Sequence, residues 1–305
     1  MDIAYCENLD EIVCGIELTE MDVNEIKSLS FFCPECYVSQ LPASYDPSNK
    51  KIPYFRTFPS GDDHDLDCDY HKNNKNKRNK KLTNTDGDQE FPFRVPNKLI
   101  LVSPRHLKKN IDTPLKKRVK IIQRMYSTSS LRPICQTYLS YPEHRATLSL
   151  SIPNISGETY IECFRTLRKG NDNSVDKVLY DLIKWNNLRD GILKNYESNL
   201  NEIRNKLVFN TFNSGKIIKV NCDSWTDKQL TSLLWEIDDA IEHVIADFIK
   251  YKQLWKEANP DKNIKNLPQF TNPKKVRLFF IGKKDESNED VFIVDNRRLI
   301  TVFYH

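Results

Sequence analysis

Two groups of cysteine and histidine near the N-terminus constrain this chain more than any other feature of its sequence. The first is Cys33 and Cys36, a C-x2-C pair. The second places Cys68 between His64 and His71. Zinc prefers four tetrahedral ligands drawn from thiolate and imidazole, and a C-x2-C turn aims both sulfurs at one point. The pattern therefore predicts a structural Cys3His site that binds Zn2+.

The identity of the histidine ligand is open at this level. Cys68 follows His64 by four residues and precedes His71 by three, and both spacings place two side chains on one face of a helical turn. A redox pair is the rival interpretation of Cys33 and Cys36. Redox C-x-x-C motifs accompany a βαβ pattern, which the flanking sequence lacks. We therefore expect a metal held by the three cysteines and one of the two histidines.

Composition points to a globular protein in a reducing compartment. Hydrophobic residues make up 39% of the 305 residues, enough to bury a core. Eight cysteines are too few for a disulfide scaffold in a chain of this length. No apolar run of about 18 residues and no signal peptide pattern is present, so we expect a cytoplasmic protein outside the membrane. The cysteines expected to be buried thiols without chemistry are Cys6, Cys14, Cys135, Cys163 and Cys222.

Charge is distributed unevenly, although the formal net charge is only +4. Residues 1–70 hold four Lys/Arg and fifteen Asp/Glu, a net charge of −11. Residues 71–145 hold eighteen Lys/Arg and five Asp/Glu, a net charge of +13. Such asymmetry indicates a polyanion partner or one segment docking on another. The candidate phosphate-binding residues are Lys72, Lys75, Lys77, Arg78, Lys80, Lys81, Lys116, Lys117, Arg118 and Lys120.

Apolar periodicity predicts an α+β protein with a small N-terminal zinc-binding module. The module covers 1–75, a basic connecting segment with a strand and a helix covers 76–145, and a mixed domain covers 146–305. We expect a largely antiparallel sheet in that last domain, together with one long amphipathic helix over about 226–258.

Three shorter predictions complete the last domain. Val175, Val178 and Leu182 fall on the inner face of a predicted helix. Apolar runs at 276–281 and 291–294, separated by a polar loop, predict a hairpin. A further strand is expected over 299–303.

The first 75 residues resemble the N-terminal zinc-binding module of CoiA-type competence proteins. The resemblance rests on C-P-x-C, on a strand ending in the sequence PYFR at 53–56, and on H-x3-C formed by His64 and Cys68. It favours His64 over His71. It also implies a connection with foreign DNA in a bacterium, through uptake or anti-phage defence, and a following nuclease-like domain with an E-x-K motif. The only E-x-K in this chain lies at 25–27, upstream of the C-x2-C pair.

Three functions are compatible with these features. A nucleic-acid-binding protein, with DNA preferred over RNA, would bind phosphates through its basic segment. Its aromatic residues Tyr54, Phe55 and Phe58 could stack on bases, although core packing is the preferred interpretation. An interaction protein would instead dock its acidic module and basic segment on each other or on a partner protein. A divergent nuclease would need clustered carboxylates such as Asp176 and Asp181. The sequence favours the first function and a role that is not enzymatic.

Overall fold

The computed structural model describes residues 3–9, 11–34, 36–45, 53–59, 64, 68, 95–101, 126–170, 175–186, 188, 192–193, 200–262, 267–268 and 275–305. The chain forms two units, Met1–Ile161 and Glu162–His305, each with its own network of internal contacts. Helices and mixed sheets occur in both, which confirms the predicted α+β class.

Unit 1 is built on a seven-stranded sheet. Its strands are β1 (Ile3–Cys6), β2 (Glu11–Cys14), β3 (Phe31–Phe32), β4 (Ser39–Ala43), β5 (Tyr54–Thr57), β6 (Pro96–Leu99) and β7 (Tyr126–Thr128). They pair in the order β5-β4-β3-β1-β2-β7-β6. The pairs among β1 to β5 are antiparallel, whereas β7 runs parallel to both β2 and β6. Strands on both sides of residue 75 therefore share one sheet.

Helices of unit 1 are short. They are α1 (Val23–Ser28), α2 (Leu131–Ser140) and α3 (Tyr160–Cys163), the last at the unit boundary, with 3-10 turns at Gly15–Glu20 and Pro142–His144. Asp22 caps α1 by accepting a hydrogen bond from the Asn24 backbone N–H. The E-x-K at 25–27 lies within α1.

One face of the unit 1 sheet is buried against α1 and the first 3-10 turn. The residues of this core include Ala4, Cys6, Val13, Leu18, Ile26, Phe31 and Phe55. Gly15 allows the chain before β5 to approach closely, because a Cβ there would collide with the Pro53 carbonyl oxygen. The close approach sets β5 against the core, which positions the end of the sheet that carries the candidate site.

Unit 2 contains two four-stranded sheets. Its elements are β8 (Phe164–Thr166), β9 (Val178–Leu182), α4 (Leu200–Arg204), β10 (Val208–Asn210), β11 (Ile217–Val220), α5 (Asp227–Ala258), β12 (Val276–Phe280), β13 (Lys283–Lys284), β14 (Val291–Val294) and β15 (Ile300–Tyr304). One sheet has the order β10-β11-β14-β13 and the other β15-β12-β9-β8. Only the pairs β11–β14 and β8–β9 are parallel among these sheets, so the described pairing is largely antiparallel, as predicted.

Two predictions in this unit are wrong. Residues 178–182 form β9 rather than a helix, because a short buried apolar run satisfies either period. The runs at 276–281 and 291–294 do not form a hairpin. β12 pairs with β9 and β15, whereas β14 pairs with β11 and β13. Strands buried on both faces carry no alternation that specifies their partner.

The long helix α5 confirms the clearest sequence prediction. Thr226 caps it, accepting from the Gln229 N–H at 3.2 Å while the Gln229 side chain accepts from the Thr226 N–H at 3.0 Å. Glu236 on α5 is 2% exposed and binds Arg297 at 2.6 Å. The second carboxylate oxygen of Glu236 accepts from Thr301 and from the Val302 N–H. A buried charge paired on all sides in this way fixes α5 against β15.

The apolar stripe of α5 should determine the stability of unit 2. Ile241 is 1% exposed, whereas the neighbouring Glu242 is exposed. We expect Ile241→Asp to destabilise the unit by about 3 kcal/mol or more, because it buries an unpaired charge. Glu242→Ala should change stability by about 0.5 kcal/mol at most. Thermal melts of both variants measure the difference, and equal melting of Ile241→Asp and the parent would contradict the assignment.

Candidate metal centre

The turn between β3 and β4 presents the first two ligands. Cys33 follows β3 directly, and its N–H donates to the Val38 carbonyl at 2.8 Å. The Tyr37 N–H donates back to the Cys33 carbonyl at 3.0 Å, which closes the turn around Cys36. Tyr37 adopts a φ of 62°, a left-handed conformation that costs free energy for any residue with a Cβ. This tight turn brings the two sulfurs to one side of the loop.

Four ligand atoms from two distant segments meet at this turn. The Cys33 and Cys68 sulfurs lie 3.8 Å apart. His64 Nδ1 lies 3.3 Å from the Cys36 sulfur and 3.4 Å from the Cys68 sulfur. All four ligand atoms lie within 4.8 Å of one another, so the group could hold a metal ion. Among the described residues, this is the only group of His, Cys, Asp and Glu side chains whose ligand atoms lie close enough together to hold a metal ion.

Burial distinguishes the two sides of the centre. Cys33 and Cys68 are buried, whereas Cys36 and His64 are partly exposed. Four protein ligands fill a tetrahedral coordination shell, which is typical of structural sites because catalytic sites keep one position open. The geometry therefore suits a metal that holds the fold rather than one that binds a substrate.

The other five cysteines are buried and stand apart from this group. Burial raises the pKa of Cys6 to about 11 and that of Cys163 to about 11. It raises the pKa of Cys222 to about 12. A thiol that stays protonated is neither a nucleophile nor a metal ligand, so these three cysteines are core residues.

The predicted ligands divide into two sets. The structure brings together Cys33, Cys36, His64 and Cys68, and the histidine in this group is His64. His71 lies outside the described residues. So do the predicted phosphate-binding residues Lys72, Lys75, Lys77, Arg78, Lys80, Lys81, Lys116, Lys117, Arg118 and Lys120, together with the helix predicted from residue 113.

Asp181, a carboxylate considered for nuclease chemistry, has a structural environment. Its side chain is 2% exposed on β9. One oxygen accepts from the Ser214 N–H at 2.9 Å and from the Ser214 hydroxyl at 2.7 Å, and the other accepts from the Asn213 amide at 2.9 Å. These bonds hold the turn between β10 and β11.

Sequence reasoning did not identify three aromatic residues beside the centre, namely Tyr5, Phe32 and Tyr37. The Tyr37 ring lies parallel to the Phe32 ring, with centroids 4.5 Å apart and planes 5° apart. It also lies 5.9 Å from the Tyr5 ring. Tyr37 follows the second ligand of the C-x2-C turn, and this adjacency was the one sequence feature that could have drawn attention to it.

Comparisons of the chain with protein-family models, with curated proteins and with solved structures find no match. The resemblance to CoiA-type modules therefore stays a prediction. Among the helices that the structure describes, none combines the length and apolar character needed to cross a membrane.

The two candidate histidines can be separated by substitution. We expect His64→Ala to weaken metal binding by at least about tenfold, because it removes one of four assembled ligands. His71→Ala is the matched control and should retain the metal of the parent. Elemental analysis after dialysis against a weak chelator measures both variants. Loss of metal from His71→Ala alone would contradict the assignment of His64.

Proposed function

We propose that the centre binds Zn2+ as a structural ion. The observation that carries this proposal is the convergence of three cysteine sulfurs and one imidazole nitrogen within 4.8 Å. In a tetrahedral site with Zn–S bonds of about 2.3 Å, two sulfurs lie about 3.8 Å apart. The separation of Cys33 and Cys68, 3.8 Å, fits this value. Soft thiolate ligands with imidazole also suit zinc better than magnesium, calcium or manganese.

Zinc at this position would stabilise the part of the unit 1 sheet that contains β3, β4 and β5. It would join the turn after β3 to residues that lie 28 and 35 positions further along the chain, as the pairs Cys36–His64 and Cys33–Cys68 show. Binding to ligands that are dispersed in the unfolded chain contributes directly to the free energy of folding.

We further propose that the protein binds nucleic acid, with DNA preferred. The net charge of +13 in residues 71–145 supports phosphate contacts, since these depend on cationic side chains rather than on sequence. Tyr54 and Phe58, two of the aromatic residues considered for base stacking, are exposed at 38% and 41%. Phe55, the third, is 1% exposed and belongs to the core. The preference for DNA and the link to foreign-DNA handling or anti-phage defence rest on the resemblance to CoiA-type modules.

Zinc content tests the structural part of the proposal. Freshly purified protein should contain about one equivalent of zinc, and Cys36→Ser should lose it and unfold the N-terminal part of unit 1. Cys222→Ala, which removes a buried thiol of unit 2, should retain the zinc. Elemental analysis and limited proteolysis report metal and folding separately. Parent protein without zinc would overturn the metal assignment.

Charge reversal tests nucleic-acid binding. We expect a variant with Glu at Lys77, Arg78, Lys80 and Lys81 to bind DNA more weakly regardless of sequence, with a flatter dependence of affinity on salt. The control reverses four exposed lysines of unit 2, namely Lys169, Lys250, Lys252 and Lys275, with the same change of net charge. Mobility-shift titrations across a salt series compare the two variants. Equal weakening in both would assign the effect to net charge, and no binding by the parent at low salt would favour a partner protein instead.

A further inference from the structure

The unit 1 sheet has an aromatic face at the end that carries the metal centre. Paired residues on neighbouring strands share a face, and Tyr5 on β1 pairs with Phe32 on β3. On β5, Tyr54 and Arg56 alternate with the core residue Phe55 and therefore point away from the core. We define the aromatic face as Tyr5, Phe32, Tyr37, Tyr54 and Arg56.

The register links these residues across four strands. Phe32 pairs with Ser39 on β4, and Leu41, two residues further on, pairs with Arg56 on β5. Residues two apart on a strand point to the same face, so the face is continuous from β1 to β5. The opposite face of the same strands is the core that contains Phe31 and Phe55.

Exposure shows that rings on this face are accessible. Tyr37 is 37% exposed and Tyr54 is 38% exposed. Arg56 is also exposed. The Tyr37 hydroxyl donates to Glu7 at 3.0 Å, which fixes the ring on Phe32. At the other end of the sheet α2 packs against β2, β6 and β7, and Ile12 of β2, which shares the face of Tyr5, is fully buried. The aromatic face is thus the exposed part of a sheet surface that is buried at β2.

We propose that the aromatic face stacks the bases of single-stranded nucleic acid. This inference rests on the proposed nucleic-acid-binding function and names its substrate class. Base–aromatic stacking needs rings with an open face, and every base offers one once it is unpaired. A duplex hides those faces within its own stack, so the surface selects single strands. In the sequence, Arg56 lies between Tyr54 and Phe58, and all three side chains are exposed. A guanidinium at this position can contact a phosphate or stack on a base.

Positive charge at Arg56 and in the chain after residue 70 favours a nucleic acid as the occupant of this face. Arg56 is the cation on the face itself, and the chain from residue 71 to 145 carries a net charge of +13. Residues 1–70 carry a net charge of −11, which repels the phosphates of single strands and duplex alike, so we expect this face to contact bases rather than phosphates. Stacking depends on ring contact rather than on charge, so an acidic module can hold bases while phosphates are neutralised elsewhere in the chain.

The metal centre supports this face directly. Tyr37 immediately follows the ligand Cys36, and its backbone is held at a φ of 62° by the turn that carries the ligands. Coordination would hold that conformation in place, since the strained backbone persists only where its surroundings enforce it. Removal of the metal should therefore weaken binding of single strands more than binding of duplex.

The test uses the full chain and two probes, a fluorescein-labelled oligothymidylate and a labelled duplex of mixed sequence. Fluorescence anisotropy should show that Tyr54→Leu binds the oligothymidylate about fivefold more weakly or worse, with duplex binding unchanged. Phe212→Leu, which changes a 66% exposed ring of unit 2, is the matched control and should bind both probes like the parent. Thermal melting and zinc content of Tyr54→Leu should match the parent, because the ring contributes little to the core.

A conservative variant adds a readout that a purely structural role would not change. Tyr54→Trp should retain affinity for oligothymidylate, and its added fluorescence should be quenched when the probe binds. Unchanged oligothymidylate affinity in Tyr54→Leu, together with weakened binding in the Lys77/Arg78/Lys80/Lys81 reversal, would overturn this inference and leave nucleic-acid binding intact. No binding of either probe by the parent at low salt would overturn both, and would leave the aromatic face to a protein partner.

Discussion

The convergence of Cys33, Cys36, His64 and Cys68 joins the turn after β3 to the chain beyond β5. The two pairs of ligands come from segments about thirty residues apart, and the strand β5 lies between them in sequence. Closing a loop of this length costs conformational entropy. Three sulfurs gathered within 4.8 Å would also repel one another as thiolates unless a cation lay between them. Metal binding at this centre would therefore couple closure of the loop to the position of β5.

That coupling extends to the surface of the sheet. The same turn that presents Cys33 and Cys36 holds Tyr37 in a left-handed conformation and sets its ring on Phe32. β5, which precedes His64 and Cys68 in the chain, contributes Tyr54 and buries Phe55. The metal centre and the aromatic face thus share the turn that carries Cys33, Cys36 and Tyr37. A change at the centre is expected to reach the surface, whereas a change of an exposed ring leaves the centre intact.

What could be predicted from sequence was local. The C-x2-C pair, Cys68 and its two flanking histidines gave five candidate ligands, and four of them meet in the structure, because ligand chemistry and short spacing are both visible in the chain. Spacing alone did not choose between His64 and His71. The helix α5 was equally accessible, since an apolar period repeats over several turns of this helix of 32 residues. The partners of β12 and β14 were not, because a strand buried on both faces fits several neighbours equally well. The sequence also did not show that Tyr54 and Phe55 lie on opposite faces of the sheet with Phe55 in the core, because this assignment depends on the register of β5 with β4.

The position of the aromatic face in the acidic part of the chain suggests a reason for the uneven distribution of charge. A surface that stacks bases gains from an environment that does not attract phosphate by itself, since it then discriminates against duplex, whose rings are hidden and whose charge density is higher. In the proposed function, the acidic character of residues 1–70 would supply that environment, and the basic residues that follow would supply affinity. The two contributions can then be measured separately. The salt dependence of binding would depend on residues 71–145, and the preference for single strands would depend on the aromatic face. A protein that simply neutralised polyanions would show the first without the second, so the ratio of single-strand to duplex affinity, rather than affinity itself, distinguishes a base-stacking protein from a basic surface.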